Sequence, residues 1–382
     1  MIHMENLARR FEDVREYYFD SLEQISKNEN PVNGFYVKEV EQRLREISGR
    51  THVAMVRSGS QAISIALMSH IDPGAEVIIP AYSCAATLAS VASAGFVPRF
   101  VDINQYGSID AEQIESHITS RTQAVVATGL YGDVHDHEVV KQVCAENKIT
   151  YVNDAAQSQF AKYKGIDSLR LGDVVAVSFA DNKPLPTLGT FGAVFTDSDR
   201  HYERIKSLRA NGKTSHTSDF VEAGYSSKPD EDKAAQILAA MRCFDKWQAR
   251  RKQVAAIYDA EFIKAGVVIR PRPNYSQYNT HKYAIMVENK FEAFEKLKSQ
   301  GVETLRHYQD NFAKLPWTPS TDEQFPITDK YIRQSLSLPI NGHMTDSEIY
   351  EVIEKVVNNC ESVFKGVHCF HFFSLDHFDF KP

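Results

Sequence analysis

Short runs of apolar, mostly β-branched residues alternate along the chain with longer stretches in which apolar residues recur at helical spacing. This alternation predicts a mostly parallel β-sheet covered by α-helices. The predicted strands are residues 52–56, 77–79, 99–102, 124–128, 150–153, 174–178 and 193–196, and the predicted helices between them are residues 62–69, 85–94, 111–118 and 138–147. Together these strands indicate one wide sheet, and the right-handed crossover rule places their functional ends along one edge.

The pattern changes in the last third of the chain. Residues 232–262 predict a single helix that is too long for a crossover between neighbouring strands, so we expect it to link two domains. Beyond it, a predicted strand at 281–287 and predicted helices at 291–299 and 345–358 indicate a compact α+β unit. Near the start, residues 5–26 predict an exposed amphipathic helix. We therefore expect a large domain over residues 1–245 and a smaller one over residues 246–382.

Composition narrows the class of protein. With 382 residues, 43% hydrophobic and 24% charged, the chain can bury a sizeable core, which excludes disorder as the dominant state. The 43 Lys and Arg residues against 50 Asp and Glu give a net charge of −7, which argues against a nucleic-acid partner. Since no apolar run approaches the ~20 residues of a membrane span and no signal-peptide pattern is evident, we expect a cytoplasmic protein without membrane association.

Cysteine and histidine usage gives no clear metal site. The 5 cysteines are scattered without the spacing of a disulfide framework or a zinc site, so we expect reduced thiols. Residues 367–380 are rich in His and Phe, and His368, Cys369, His371 and His377 are potential ligands. No clear ligand tetrad emerges, however, and a tail docked on an apolar groove or on a partner subunit is the favoured interpretation.

Polar residues at two predicted strand ends are the first candidates for chemistry. Asp154 and Gln157 follow one buried strand, and Lys183 follows another that ends at Ser178. Each alone is weak evidence, because an aspartate at a strand end is often only a helix cap and a loop lysine is usually solvated. The two strand ends together are a more specific sign of a catalytic site than either one alone.

A third element stands upstream, where the run Ser58-Gly59-Ser60-Gln61 leads from a predicted strand directly into a predicted helix. Such a junction presents free backbone N–H groups and the positive end of the helix dipole, so it can bind a phosphate group. Taken alone, Ser-Gly-Ser before a helix is more often just an N-cap.

In order and spacing, these residues resemble the DegT/DnrJ/StrS family of pyridoxal-phosphate-dependent sugar aminotransferases, which belongs to the fold type I aminotransferases. The resemblance extends from Asn33-Gly34 to about Val357 and includes residues 58–60, 74–80, 98–103, 130–132, 154–157, 178–183, 189–196, 301–308 and 336–339. It implies a three-layer α/β sandwich with a mostly parallel seven-stranded sheet, followed by a smaller α+β domain. It also implies pyridoxal 5'-phosphate as cofactor and a homodimer with shared active sites.

The resemblance assigns roles to individual positions. Lys183 would bind the cofactor covalently and later act as general base and acid, and Asp154 would keep the cofactor's ring nitrogen protonated. Gln157 would lie near the phenolic oxygen of the cofactor ring. The remaining cofactor-binding positions that the resemblance assigns are Ser58, Gly59, Ser60, Gln61, Cys84, Ser178 and Ser226.

Three positions depart from the family pattern. Cys84 stands where an aromatic residue usually stacks on the ring, Ser226 where an asparagine usually reaches the phosphate of the neighbouring subunit, and Phe191 where a glycine is common. By resemblance, His281, His307 and Tyr308 would lie near the substrate entrance. Lys183 itself favours amino transfer, because one branch of the family has histidine there and performs 3-dehydration.

We therefore expect an aminotransferase that moves an amino group from L-glutamate to a keto-sugar, with a nucleotide-linked deoxy sugar as the leading candidate. A non-nucleotide sugar, a sugar phosphate, a free sugar acid or an aminocyclitol remains an alternative substrate. A non-catalytic regulatory or scaffolding member of the fold is a second class of function. A dinucleotide-binding enzyme is not favoured, because no GxGxxG follows the first predicted strand.

Overall fold

The computed structural model describes residues 1–28, 31–214 and 219–359. The strands are β1 His52–Val56, β2 Glu76–Pro80, β3 Val97–Val101, β4 Thr122–Thr128, β5 Thr150–Asp154, β6 Lys162–Tyr163, β7 Ile166–Asp167, β8 Val174–Ser178, β9 Gly192–Thr196, β10 Ser276–Gln277, β11 Tyr283–Met286 and β12 Ser335–Leu338. The α-helices are α1 Leu7–Asn28, α2 Phe35–Ser48, α3 Gly59–His70, α4 Ala85–Ser93, α5 His137–Asn147, α6 Asp199–Leu208, α7 Glu231–Lys264, α8 Lys290–Ser299, α9 Pro326–Gln334 and α10 Asp346–Asn358.

The central sheet has seven strands in the order β1-β9-β8-β5-β4-β2-β3. The pairs from β8 to β3 are parallel, and β9 is antiparallel to both of its neighbours, β1 and β8. All seven strands coincide with the predicted ones to within two residues at either end. The predicted mostly parallel seven-stranded sheet is confirmed.

Helices cover both faces of this sheet, and the strands are apolar because each face is buried. Successive side chains of a strand point to opposite faces. In β1, Ala54 and Val56 therefore join the core beneath α3 and α4, whereas Val53 and Met55 join the core beneath α2 and α7. The three layers are helices, sheet and helices.

A second core lies around the two-stranded sheet of β11 and β12. The second half of α7 contributes Val254, Tyr258 and Phe262 to it, and the start of the chain contributes Ile2. The first half of α7 packs in the core of the large sheet. One continuous helix therefore belongs to both cores, and the expected domain boundary at residues 245 and 246, which falls inside it, stays a prediction.

One predicted helix is wrong. Residues 111–118 form two short 3₁₀ turns, Ala111–Gln113 and Glu115–His117, in place of an α-helix. The apolar residues Ala111 and Ile114 are buried, but their spacing of three also suits a 3₁₀ helix with three residues per turn. The sequence pattern therefore did not distinguish the two kinds of helix.

The N-terminal helix is less exposed than predicted. One face of α1 packs along α7, and Arg10 and Ser21 are buried there. The indole of Trp247 on α7 donates a hydrogen bond to Asp13 at 2.7 Å. Helices α2, α6 and α9 were not predicted.

The His- and Phe-rich segment 367–380 lies outside the described residues, so its predicted docking stays untested. Within the part of the chain that is described, no group of three or more metal-ligating side chains is positioned to hold an ion. No helix of that part is both long enough and apolar enough to cross a membrane.

Helix α2 receives its N-terminal cap from a distant residue. Its own N-cap position is Gly34, which has no side chain to accept a hydrogen bond. The buried carboxylate of Glu231, the first residue of α7, accepts instead from the N–H groups of Gly34, Tyr36 and Val37 at 2.7, 2.8 and 3.0 Å. Because α2 leads into β1, this contact sets the position of the strand that carries the phosphate-binding candidates.

Replacement Glu231→Ala removes this carboxylate and leaves the three N–H groups buried without acceptors. We expect the free energy of unfolding, measured by urea denaturation, to fall by about 3 kcal/mol, since each unsatisfied buried group costs about 1–3 kcal/mol. The matched control is Asp232→Ala, whose side chain is 38% exposed and which should change stability by less than about 0.5 kcal/mol. Equal stability of the two variants would contradict the capping role.

Candidate active site

The candidate residues converge at one edge of the central sheet. Asp154 ends β5 and Ser178 ends β8, and the carboxyl ends of parallel strands share an edge. Strand β9 runs the opposite way, so its first residue, Gly192, lies at the same edge, paired with both Val56 and Ser178. The β1–α3 junction therefore lies next to the strand that leads to Lys183.

The junction between β1 and α3 is tightly packed against this edge. Ser58 caps α3, and its hydroxyl accepts a hydrogen bond from the N–H of Gln61 at 3.1 Å. A Cβ atom at Gly59 would stand 2.4 Å from the Cβ of Ser178, and one at Gly192 would stand 2.5 Å from the carbonyl carbon of Ser58. Both positions require glycine. The N-terminal amides of α3 are thus held beside the Ser178 hydroxyl, which suits an anion.

Asp154 is 3% exposed. Its carboxylate accepts hydrogen bonds from the Thr87 hydroxyl at 3.0 Å and from the N–H of Ala156 at 3.1 Å. Burial raises the pKa of Asp154, and the two hydrogen bonds and the charge of Lys183 oppose that rise. No ion pair to Asp154 exists within the described ranges. This buried carboxylate therefore fits a cationic group that enters from outside the chain.

Lys183 lies at the end of a turn that its own N–H closes onto the carbonyl of Ala180 at 2.9 Å. It is half-buried, and its charge acts on Asp154, His281 and His307. The pKa values of both histidines lie well below their usual range, because burial and neighbouring cations disfavour their protonated forms. His281 and His307 are therefore neutral side chains near the lysine, inside the protein.

Tyr308 connects two other candidates. The amide of Gln157 donates to the phenolic oxygen of Tyr308 at 2.5 Å and accepts from the N–H of Tyr131 at 3.0 Å. Burial raises the pKa of Tyr308 well above its usual range, and Cys84 and Asp154 are among the groups that act on it. The thiol of Cys84, at the N-cap of α4, thus lies in the same group of side chains as Asp154 and Gln157.

The segment that carries His307 and Tyr308 is held by buried groups. The Tyr82 hydroxyl donates to the carbonyl of His307 and accepts from the N–H of Tyr308, at 2.5 and 2.6 Å. The buried amine of Lys290 donates to the carbonyl of Tyr308 at 2.7 Å. These contacts fix the position of Tyr308 relative to Gln157.

Ser226 lies on the segment between α6 and α7. It is exposed and pairs with Ala210 in an isolated bridge. The next residue, Ser227, is buried, and its hydroxyl donates to the side chain of Gln61 at 2.7 Å. Within one chain, this segment therefore contacts α3 through Ser227.

Sequence reasoning missed Thr87 and Ser227. Thr87 lies in the first turn of α4, and a hydroxyl three residues after Cys84 was its only signal in the sequence. Ser227 is adjacent to a predicted position, but its contact with Gln61 spans 166 residues of chain.

A comparison with known proteins identifies the family to which the chain belongs. Residues 12–357 match the model of the DegT/DnrJ/EryC1/StrS aminotransferase family. The chain belongs to this family. The match covers almost all of the described residues, and it confirms the predicted family, fold and enzyme class.

Two relatives and one solved structure are similar over most of their length. A pleiotropic regulatory protein of Geobacillus stearothermophilus is 30% identical, over 93% of this chain and 97% of the relative. The UDP-2-acetamido-2-deoxy-3-oxo-D-glucuronate aminotransferase of Pseudomonas aeruginosa is 29% identical, over 94% and 100%. The crystal structure of NtdA from Bacillus subtilis, with bound cofactor PMP, has a TM-score of 0.84 at 26% identity and covers 92% of this chain and 82% of NtdA.

The contact between Gly59 and Ser178 yields a test of the packing at the junction. Gly59→Ala should lower the free energy of unfolding by about 1–3 kcal/mol, because the new methyl group overlaps the side chain of Ser178. Ser178→Gly removes the overlapping atom, so the double variant Gly59→Ala/Ser178→Gly should lose less stability than the sum of the two single variants. Simple additivity in urea denaturation would show that the two residues are not in contact.

Proposed function

We propose that the chain is a pyridoxal-phosphate-dependent aminotransferase that places an amino group on the keto carbon of a nucleotide-linked sugar. The observation that carries this proposal is a buried carboxylate without an ion pair among the described residues, Asp154, at the same edge of the sheet as Lys183, whose charge acts on it. Membership of an aminotransferase family supports it, as does the bound cofactor of the similar NtdA structure.

The residues at this edge fit pyridoxal phosphate. Asp154 would bind the protonated ring nitrogen, which supplies the cation that its buried carboxylate lacks. The cofactor's phosphate would be held by the N-terminal amides of α3 and by the side chains of Ser58, Ser60, Gln61 and Ser178, with Gly59 giving the backbone its close approach. When bound, pyridoxal phosphate supplies an aldehyde that reacts with amines and a ring that withdraws electrons.

Three further side chains would orient the ring. Gln157 is held in place by hydrogen bonds with Tyr131 and Tyr308, and it would contact the phenolic oxygen of the cofactor ring. Cys84 would lie against one face of the ring, where a thiol gives a weaker contact than an aromatic side chain. Thr87 would hold the Asp154 carboxylate in its ionised form, because its hydroxyl donates to that group.

Lys183 is the residue to which we assign the proton transfers. A lysine amine is a nucleophile and a base only when it is deprotonated, and its ordinary pKa is about 10.4. The partial burial of Lys183 limits access of water to its amine. Once free, the amine can take a proton from the substrate and return it one carbon away.

The relatives indicate the class of substrate but not the individual compound. The Pseudomonas relative acts on a UDP-linked 3-oxo sugar, and a further relative from Streptomyces venezuelae, 29% identical over 318 residues, is a dTDP-linked trideoxy-sugar transaminase. A nucleotide-linked keto-sugar is therefore the acceptor that we assign, with L-glutamate as the amino donor. His281, His307 and Tyr308 are the residues to which we assign contact with substrate.

We assign a homodimer with shared sites, located in the cytoplasm. Ser226 is exposed next to the buried Ser227, so its hydroxyl is available to a second copy of the chain. A regulatory protein is the second candidate function, because the Geobacillus relative carries that name at 30% identity. The two functions differ in whether Lys183 binds the cofactor and in whether the protein catalyses turnover.

The proposal predicts a coloured protein that responds to L-glutamate. The protein loaded with pyridoxal phosphate should absorb visible light, lose that absorbance when glutamate is added and regain it when a suitable keto-sugar follows. Lys183→Ala should bind no cofactor covalently, as measured by intact mass after borohydride reduction, because no other amine replaces it. A protein that stays colourless with added cofactor would favour the regulatory function.

The control for this test is Lys164→Ala. Lys164 is a surface lysine whose amine pairs with Glu138 and not with any of the candidate site residues, so its removal should leave both the mass increase and the spectral changes intact. A mass increase that survives in Lys183→Ala would place the covalent bond on another residue and overturn the assignment.

Asp154→Asn replaces the buried carboxylate with a neutral amide of the same shape. We expect the visible absorbance to remain but the rate of the glutamate half-reaction, followed by stopped-flow spectroscopy, to fall by about 10²- to 10³-fold, the range for loss of one electrostatic partner. The control is Asp199→Asn, a surface carboxylate with a 91% exposed side chain. An unchanged rate in Asp154→Asn would exclude pairing with the ring nitrogen.

A further inference from the structure

A group of buried charges lies beside the candidate active site, where α1, α7 and the approach to β11 meet. Its members are Glu5, Arg10, Arg251 and Lys282. The three basic residues are almost fully buried, with exposures of 6% for Arg10, 4% for Arg251 and 3% for Lys282. Buried cations are rare unless they are paired, so this group needs a physical explanation.

The charges within the group do not balance. The Glu5 carboxylate lies 3.2 Å from Arg251, 3.5 Å from Lys282 and 3.8 Å from Arg10, so a single anion faces three cations. Both terminal nitrogens of Arg10 and one of Arg251 are buried without a hydrogen-bond acceptor among the described residues. Burial lowers the pKa values of Arg10 and Lys282, that of Lys282 to about 8, which is the cost of this uncompensated positive charge.

The group is adjacent to the lysine turn. Lys282 follows His281 directly, and the charges of Lys183 and Arg251 act on both of them. The charge of Asp181, two residues before Lys183, also acts on Arg10. Because the side chain of Asp181 is exposed, water screens this attraction. His281 adds a buried Nδ1 atom without a partner within the described residues. The N–H of Lys282 donates to the carbonyl of Tyr131 at 3.0 Å, and the N–H of Tyr131 donates to Gln157, so the group lies next to the candidate site.

We propose that Arg10, Arg251 and Lys282 form a subsite for a carboxylate group of the substrate. Arg10 offers two unpaired N–H-bearing nitrogens of one planar guanidinium, the arrangement that binds a carboxylate through two parallel hydrogen bonds. A bound carboxylate supplies the second negative charge that the group lacks, and Glu5 holds the cations in place when the subsite is empty. This inference rests on the proposed function in one respect, that the substrate reacts at Lys183.

Two substrates can bring a carboxylate to this place: the amino donor, if it is glutamate, or an acidic sugar. Glutarate is a probe for the donor, because it keeps both carboxylates of glutamate and lacks the reactive amine. Glucuronate is a probe for an acidic sugar. Glutaramide and glucose are their uncharged counterparts, so any difference within a pair reports the carboxylate.

The test measures the dissociation constants of these probes by isothermal titration calorimetry on the protein incubated with excess pyridoxal phosphate. Arg10→Gln and Lys282→Met should each weaken the binding of one acidic probe by about tenfold or more, as expected for loss of a charge-assisted hydrogen bond. The matched control is Arg9→Gln, because Arg9 is the neighbouring residue of α1 but pairs with Glu348 on the surface. Its affinities should equal those of the unmodified protein.

Loss of glutarate binding alone assigns the subsite to the amino donor, and loss of glucuronate binding alone assigns it to the sugar. If neither acidic probe depends on Arg10 or Lys282, the group is structural and the inference is wrong. Circular dichroism checks that the variants fold, and Arg10→Lys, which keeps the charge but not the two-pronged geometry, should give intermediate affinity. The calorimetric readout does not use turnover, so a colourless protein that still binds glutarate through Arg10 would overturn the proposed function but not the subsite.

Discussion

The rest of the candidate site depends on the burial of one carboxylate. Asp154 sits at the end of a central strand, where burial disfavours its charge and only two hydrogen bonds support it. A carboxylate in this environment binds a cation strongly, because little water competes with the partner. The glycines at positions 59 and 192 bring the phosphate-binding candidates to the same edge, so that the spacing between acid and anion site is set by the backbone of the sheet.

Helix α7 gives the site its second side. It packs in the core of the large sheet through its first half and in the smaller core through its second half. Its first residue caps α2, and Arg251, further along, belongs to the buried charge group near Lys183. If the proposals hold, the substrate side of the site is built from the start of the chain, the long helix and the approach to β11, whereas the cofactor side is built from the central sheet.

The sequence predicted the central sheet well because its strands are buried on both faces and read as continuous apolar runs. Asp154, Gln157, Ser178 and Lys183 could be proposed as candidates because they stand at or shortly after strand ends in a family's order and spacing. The turns at residues 111–118 could not, since apolar residues three apart fit two kinds of helix.

The contact between Glu5 and Arg251 in the buried charge group could not be predicted either, because these two residues lie 246 positions apart and meet only when the start of the chain packs along α7. The same limit applies to Ser227, whose contact with Gln61 requires the loop after α6 to fold back on α3. The local pattern supplies the strands and their ends, but it leaves out side-chain contacts between distant segments such as these.

The pairing of the second residue with a segment 300 positions later has a consequence for synthesis. Ile2 forms a bridge with Val302 and lies in the smaller core with Ile349 and Val352 of α10. While the chain is being made, the large sheet can close as soon as its strands have left the ribosome. Ile2 must wait until β12 and α10 emerge, and the apolar face of α1 must wait until α7 emerges. Hydrophobic surface of residues 2 and 7–28 therefore stays uncovered over much of translation, which favours chaperone binding there.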